Sequence, residues 1–154
     1  MPKSAPLRTI LMADDDGEDC ALVRDALRTI GRSYDLRCVR NGEELFAYLR
    51  GQGEYEAPRD APLPDLILLD LKMPRKDGRE TLVELKADPQ WRAIPVIALT
   101  TSSNGADVKF CYDAGVNAYV TKPATFRGLV RVLERITRYW FELAELPPKG
   151  RHGR

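Results

Sequence analysis

Short apolar runs alternate with helical patterns along the whole chain. The apolar runs cover residues 9–13, 36–39, 66–69, 95–99 and 117–121. Between these runs, apolar residues recur three or four positions apart, which is the spacing of one helix face. Five strands that are each followed by a helix predict a parallel sheet covered by helices on both faces. Because crossovers are right-handed, we expect an α/β fold with an open, doubly wound sheet.

Length and charge narrow the class of protein. The 154 residues are enough for one domain with a sizeable core. The 24 Lys and Arg residues nearly balance the 23 Asp and Glu residues. The chain is therefore not predicted to have a strong positive electrostatic field that would attract nucleic acid or an anionic membrane. No apolar run approaches the roughly 18 residues of a spanning helix, and residues 1–10 lack the apolar core of a signal peptide. We therefore expect a cytoplasmic protein with no nucleic-acid or membrane partner.

Cysteine and histidine usage excludes several kinds of site. The three cysteines, Cys20, Cys38 and Cys111, are odd in number and show no CxxC spacing. This pattern argues against a disulfide framework or a zinc site and favours a reducing compartment. The only histidine, His152, lies in a tail rich in Gly and Arg. Histidine-based catalysis or metal binding is therefore not expected.

Carboxylates stand at the ends of two strands that are typically neighbours in this topology. Asp14 and Asp15 follow the first apolar run, and Asp70 follows the third. In an open parallel sheet, the functional crevice lies beyond the carboxyl ends of the strands. Three carboxylates brought together would repel one another unless a cation neutralises them. Mg²⁺ prefers oxygen ligands and takes one or two carboxylates alongside phosphate oxygens, so we predict a site for Mg²⁺ or Mn²⁺ here.

The same edge of the sheet carries a hydroxyl and an amine suited to phosphate. Thr100 follows the fourth apolar run and Lys122 follows the fifth. The Asp70 carboxylate could attack an incoming phosphoryl group, Lys122 could neutralise the added charge, and Thr100 could donate a hydrogen bond to it. Alternatively, the run from Asp14 to Asp16 could be a solvated turn, and Asp16 in particular is suited to capping the first helix.

These residues resemble the receiver domains of two-component response regulators over residues 7–146. The resemblance implies a flavodoxin-like (βα)5 sandwich with the strand order 2-1-3-4-5, followed by a flexible tail at 147–154. It makes Asp70 the acceptor of a phosphoryl group from a sensor histidine kinase. It assigns the metal to Asp14, Asp15, Asp70 and the backbone carbonyl of Lys72.

The resemblance also assigns roles around the phosphorylation site. Thr100 corresponds to the switch hydroxyl, and Tyr119 to the aromatic residue that turns inward on phosphorylation. Lys122 corresponds to the family's basic residue and Pro123 to its cis-prolyl partner. Gly78 belongs to the loop that shapes the site and starts the next helix. These roles imply a switch whose state is set by phosphorylation.

Lys72 departs from the residue that many relatives carry two positions after the phosphoacceptor, which is Asn. Its side chain could pair with the phosphoryl group and hinder the attacking water, which would prolong the phosphorylated state. A side chain pointing to solvent would do neither. Both alternatives are open from the sequence.

More narrowly, the chain is similar to single-domain regulators that pair with bacterial phytochrome histidine kinases. The similarity is carried by the loop 51–64, residues 86–102 and residues 136–147. It implies that the kinase docks on the first helix, where Leu22 and Ala26 are candidate exposed apolar positions. A bacteriophytochrome is therefore a possible partner.

Aromatic residues cluster near the end of the last helix. Three consecutive aromatic residues of this helix point in more directions than one core-facing side of a helix can bury: Tyr139, Trp140 and Phe141. Such an excess of aromatic side chains at a helix surface is typical of an interface. The remaining residues are too few for a DNA-binding or enzymatic output domain, so we expect the signal to leave through protein contacts. The resemblance implies a homodimer through the fourth helix, fifth strand, fifth helix and C-terminal extension. The alternative is packing within the monomer under the long loop.

Two other functions compete with the signalling switch. A metal-dependent phosphatase with an aspartyl nucleophile usually needs a second Asp two residues later as general acid, and Lys72 stands there instead. A receiver-like binding module without phosphorylation would not need Asp14, Asp15, Asp70, Thr100 and Lys122 together. We expect no enzyme activity except phosphoryl transfer to Asp70 and hydrolysis from it.

Overall fold

Five strands alternate with five α-helices in the computed structural model, which describes residues 7–56 and 61–149. The strands are β1 (Arg8–Ala13), β2 (Tyr34–Val39), β3 (Leu66–Leu69), β4 (Val96–Thr100) and β5 (Ala118–Thr121). The helices are α1 (Gly17–Thr29), α2 (Gly42–Arg50), α3 (Gly78–Ala87), α4 (Gly105–Asp113) and α5 (Phe126–Arg138). Residues 57–60 of the predicted loop and residues 150–154 of the predicted tail lie outside the described residues. None of the helices within the described ranges is long and apolar enough to cross a membrane.

The sheet has the predicted topology. All strand pairs are parallel, and the order is β2-β1-β3-β4-β5. The flavodoxin-like (βα)5 prediction is therefore confirmed. Ala13, the last residue of β1, lies opposite Leu69, the last residue of β3. The residues that follow these two strands consequently leave the sheet side by side.

The apolar run of β3 is explained by two cores on opposite faces of the sheet. Ile67 and Leu69 join the core that includes α2 and α3, and Leu66 and Leu68 join the core that includes α1 and α5. All four side chains are buried. Burial of one such side chain contributes about 1.5–3 kcal/mol. The central strand is therefore held rigidly along its length, which fixes the position of Asp70 at its end.

Side-chain caps fix where the helices begin. The carboxylate of Asp16 accepts a hydrogen bond from the Glu18 N–H at the start of α1, so the predicted cap is confirmed. The other helices begin with comparable caps from Asn41, Asp77, Asn104 and Thr125. Such caps satisfy N–H groups that have no partner within the helix. Asp77 matters most for the site, because it sets the start of α3 next to Asp70.

Two expectations about the covalent chain are wrong. The structure joins Cys20 of α1 to Cys38 of β2 in a disulfide, whereas the cysteine pattern argued against one. Packing α1 against the edge strand β2 brings the two residues together, and their spacing in the sequence does not show this contact. The described residues also contain no cis peptide bond, so the predicted cis bond before Pro123 is trans. The trans isomer is the default for X–Pro bonds, by about 0.5–1 kcal/mol.

The segment after α5 packs back onto the domain. A π-helical turn, Tyr139–Leu143, continues α5 and places Phe141 5.5 Å from the ring of Tyr34, measured between ring centroids. Further on, Lys149 Nζ donates a hydrogen bond of 2.8 Å to the Leu63 carbonyl and lies 3.2 Å from the Asp65 carboxylate. These contacts lie at the end of the sheet opposite to Asp70.

Candidate functional site

Three carboxylates meet beyond the ends of β1 and β3. Ligand oxygens of Asp14, Asp15 and Asp70 all lie within 4.8 Å of one another. The Asp14 N–H donates to the Val39 carbonyl at 3.0 Å, and the Asp70 N–H donates to the Ala13 carbonyl at 2.9 Å. Sheet hydrogen bonds thus extend one residue past each strand and hold the two buried carboxylates in place. Asp15 is exposed and opens the cluster to solvent.

The ammonium group of Lys122 lies at the centre of this acidic site. Its Nζ atom is 2.7 Å from Asp14 Oδ2, 2.6 Å from Asp19 Oδ2 and 3.3 Å from Asp70 Oδ2. Asp19 was missed by the sequence reasoning. The available signal was its position in the first turn of α1, shortly after the run of carboxylates from Asp14 to Asp16.

Burial and charge perturb the titration of this cluster. Burial raises the pKa of Asp14 to about 6, against the lowering effect of hydrogen bonds from Lys122 and the Asp16 N–H. Burial alone would lower the pKa of Lys122, but hydrogen bonds to Asp14 and Asp19 and the charge of Asp70 outweigh burial and raise it. Lys122 therefore stays protonated and partly neutralises the carboxylates.

The donor set fits a hard divalent cation. The three carboxylates carry more negative charge than the single ammonium group of Lys122, which contacts two of them, can neutralise. Their oxygens are close enough together to bind one ion. Carboxylate oxygens are the ligands that Mg²⁺ and Mn²⁺ accept. The side chain of Lys72 is exposed, and Lys72 borders an open cavity of about 560 Å³ together with Asp15. Asp14, Asp15 and Asp70 thus form an acidic triad with room for one divalent ion.

The loop after β4 is held by hydrogen bonds on both sides. Tyr119 donates a hydrogen bond of 2.7 Å from its hydroxyl to the Ser102 carbonyl. The Ser102 hydroxyl donates at 2.6 Å to Asp107, which also pairs with Arg79 of α3. Thr100 is fully buried, and within the described part of the chain its hydroxyl has no hydrogen-bond partner. A buried polar group without a partner is unusual, so this hydroxyl is available to a group that enters the site.

Gly78 lies in direct contact with the backbone of Asp70. Its N–H donates to the Leu71 carbonyl at 2.9 Å. A Cβ atom at this position would lie 2.1 Å from the Asp70 carbonyl oxygen and 2.6 Å from Leu71 Cα. Only glycine therefore fits here, and the start of α3 packs against the residue at the end of β3.

An apolar surface adjoins the acidic site. Leu22 of α1 and Phe126 of α5 are 44% and 42% exposed, and they border a cavity of about 120 Å³ that Lys122 also lines. Ala26, the other candidate exposed position, is completely buried, so that expectation is wrong. Ala26 lies one helical turn after Leu22 but belongs to the core that α1 shares with the sheet. The exposed apolar surface of α1 therefore includes Leu22 but not Ala26.

The aromatic cluster is divided between core and surface. Trp140 and Phe141 are half-buried and pack against the core between the sheet, α1 and α5. Tyr139 and Leu143 are 52% and 76% exposed. The contact of Phe141 is with Tyr34 at the start of β2.

Comparison with known proteins gives a consistent result. A family model for the response regulator receiver domain matches residues 10–134. The chain is 41% identical over 145 residues to Response regulator Rcp1 of Synechocystis sp., covering 94% of this chain and 97% of the relative. It is also similar to the crystal structure of the phosphorylated cyanobacterial phytochrome response regulator RcpA, with a TM-score of 0.83, 40% identity and coverage of 93% and 100%. The Mn²⁺-bound form of Rcp1 gives a TM-score of 0.81 with 41% identity and coverage of 92% and 99%.

Proposed function

The chain belongs to the response regulator receiver family, and on this basis we propose that it is a phosphorylation-dependent signalling switch spanning residues 7–146. Asp70 accepts the phosphoryl group, and Asp14, Asp15, Asp70 and the Lys72 carbonyl hold Mg²⁺ or Mn²⁺. The observation that carries the proposal is the contact of Lys122 with both Asp14 and Asp70. It places a permanent positive charge where a phosphoryl group on Asp70 would add negative charge.

Phosphorylation requires a single nucleophilic displacement at the phosphorus atom of the donor. An Asp70 carboxylate oxygen attacks the phosphorus atom, the bond to the donor breaks, and the donor leaves with the electron pair. A bound divalent cation would supply charge neutralisation for the phosphoryl oxygens. Lys122 moves from the Asp70 carboxylate to a phosphoryl oxygen, over a distance of a few ångströms. Hydrolysis of the same bond restores Asp70, so the protein's only chemistry is on its own side chain.

The switch follows from the free hydroxyl of Thr100. This hydroxyl donates a hydrogen bond to a phosphoryl oxygen, which draws the end of β4 and the following loop toward Asp70. Ser102 lies in that loop, so its hydrogen bond with Tyr119 breaks and the ring turns inward. The surface of α4 and β5 changes as a result, and a partner can read this change.

The proposed kinase partner is a sensor histidine kinase that docks on α1 and the start of α5. Leu22 and Phe126 supply exposed apolar contacts beside Lys122, as expected for a surface that brings a donor to Asp70. Because RcpA is a phytochrome response regulator, we propose a bacteriophytochrome as the kinase. We place this exchange in the cytoplasm, and we propose that the output is protein contact without nucleic acid or membrane.

A homodimer through α4, β5, α5 and the segment after α5 is the proposed output surface. Tyr139 is the best test of this surface, because it is more than half exposed. We expect Tyr139→Ala to weaken self-association in sedimentation velocity without lowering the thermal midpoint. Trp140→Ala, by contrast, removes core packing and should lower both self-association and the thermal midpoint. Unchanged self-association in Tyr139→Ala would exclude this residue from the interface.

The phosphorylation proposal is tested by intact-mass spectrometry. The protein is incubated with acetyl phosphate, with and without Mg²⁺, beside an Asp70→Asn variant of the same fold. We expect one phosphoryl adduct that requires Mg²⁺ and is absent from the variant. A folded protein that gains no adduct, or a variant that gains the same adduct, would contradict the assignment of Asp70.

A further inference from the structure

Cys20 and Cys38 connect α1 to the exposed edge strand of the sheet. Their Cα atoms are 6.6 Å apart, which lies within the roughly 4.4–6.8 Å range of disulfides in proteins. Cys38 is exposed, whereas Cys20 is 6% exposed and faces the core. An exposed sulfur can be attacked by a dissolved thiol or disulfide. The pair is thus accessible from one side.

Each cysteine of the disulfide is next in the sequence to a residue that contacts the acidic site. Cys20 directly follows Asp19, whose carboxylate is 2.6 Å from Lys122 Nζ. Cys38 directly precedes Val39, whose carbonyl accepts a hydrogen bond from the Asp14 N–H. Each half of the disulfide is therefore one residue away from a group that contacts the acidic triad or its lysine.

We propose that Cys20 and Cys38 form a reversible redox modification site that exchanges with small disulfides and thiols, and that its oxidised form strengthens Mg²⁺ binding at the neighbouring carboxylates. Two thiols react with one molecule of a small disulfide such as oxidised glutathione. Both protein sulfurs lose their hydrogens and form one S–S bond, and the small disulfide is reduced to two thiols. The reverse reaction uses two thiols or one dithiol reductant.

The third cysteine does not compete for this chemistry. Cys111 is completely buried on α4, and burial raises the pKa of its thiol. The thiolate is the reactive form, so Cys111 reacts slowly in the folded protein. Exchange is therefore confined to Cys20 and Cys38.

The effect on the metal follows from the anchoring of the loop. Asp14 and Asp15 lie between β1 and α1, and the start of α1 and the end of β2 both contact this loop or its lysine partner. The covalent bond keeps these two anchors at a fixed separation, so the carboxylates lose less freedom when the ion binds. We expect a modest coupling of about fivefold in affinity, at the lower end of typical values between two sites. This second part of the proposal rests on the proposed metal site.

The first test measures the thiols alone. The folded protein is equilibrated in buffers with graded ratios of reduced to oxidised glutathione, alkylated, digested and analysed by mass spectrometry. We expect Cys20 and Cys38 to change together from two alkylated thiols to one disulfide, while Cys111 is alkylated only after unfolding. A stable glutathione adduct on Cys38 alone, or no oxidation at any ratio, would overturn the redox site.

The second test measures Mg²⁺ binding by calorimetric titration of oxidised and reduced protein freed of redox buffer. The matched control is a variant carrying Cys20→Ser and Cys38→Ser, treated identically. We expect reduced protein to bind Mg²⁺ about fivefold more weakly than oxidised protein, and the control to show no difference between treatments. Equal affinities in the two states would overturn the coupling. Absence of Mg²⁺ binding in every sample would instead overturn the metal site itself, whatever the thiols do.

Discussion

Replacement of Gly78 by alanine tests how the start of α3 is coupled to the phosphoacceptor. The added Cβ atom would lie 2.1 Å from the Asp70 carbonyl oxygen, so the two backbones must separate by about 0.9 Å to reach the 3.0 Å contact limit. Both contacting groups are backbone atoms of buried residues, so neither can rotate away. The change therefore displaces Asp70, α3 or both.

The magnitude follows from overpacking and a weakened hydrogen bond. Inserting a methyl group into a packed interior typically costs about 1–3 kcal/mol. The Gly78 N–H also donates to the Leu71 carbonyl, and weakening such a bond costs up to about 1.5 kcal/mol. Alanine recovers about 0.5–1 kcal/mol by restricting the unfolded chain. We expect a net loss of about 2 kcal/mol, which lowers the thermal midpoint by about 4–8 °C for a domain of this size.

Gly105→Ala is the matched control. Gly105 is also the first residue of a helix after a side-chain cap, but nothing lies within 4 Å of a Cβ added there. We expect it to be neutral or more stable by about 0.5 kcal/mol in urea unfolding. Gly78→Ala should also slow phosphorylation by acetyl phosphate, whereas the control should not. Equal stability and equal phosphorylation of the two variants would refute the reasoning.

Three further predictions concern the site. Burial raises the pKa of Asp14 from its ordinary value of 3.8 to about 6, so protonation of Asp14 stabilises the folded protein. This contribution is present in full below pH 3.8 and is lost as the pH rises through 6. Mg²⁺ must displace this proton, so its affinity should weaken by about tenfold for each pH unit below 6 in calorimetric titrations, and an affinity independent of pH would contradict this. Tyr119→Phe should lose about 1 kcal/mol in urea unfolding, because its hydroxyl donates to the Ser102 carbonyl; unchanged stability would show that this bond contributes nothing. Lys72→Ala should keep Mg²⁺ affinity, because the proposed ligand is a backbone carbonyl. It should shorten the lifetime of phosphorylated Asp70, because the exposed Lys72 borders the same cavity as Asp15, and an unchanged lifetime would mean that its side chain does not reach the phosphoryl group.

The strands and the carboxylates at their ends were predictable from local patterns, whereas the strand order was implied by the resemblance to receiver domains. The buried run of β3 requires a sheet covered on both faces, and a parallel sheet collects the ends of its strands on one edge. Asp14 and Asp70 follow from these rules without any knowledge of distances. The cap at Asp16 was equally predictable, because it depends only on the residues next to it.

The tertiary structure alone decided which distant side chains touch. The contact of Asp19 with Lys122 joins residues 103 positions apart in the sequence. The Cys20–Cys38 bond depends on how α1 lies over β2, and the burial of Ala26 depends on the rotation of the same helix.

The titration of Asp14 belongs to the same class. Its ordinary pKa is a property of the residue type, but its value of about 6 reflects burial beside Lys122 and Asp70. The sequence by itself therefore determined the fold, the acidic edge and the residues available for chemistry. Folding determined which groups pair, how strongly water is excluded and which thiols meet, because these quantities depend on packing between segments that no local pattern specifies.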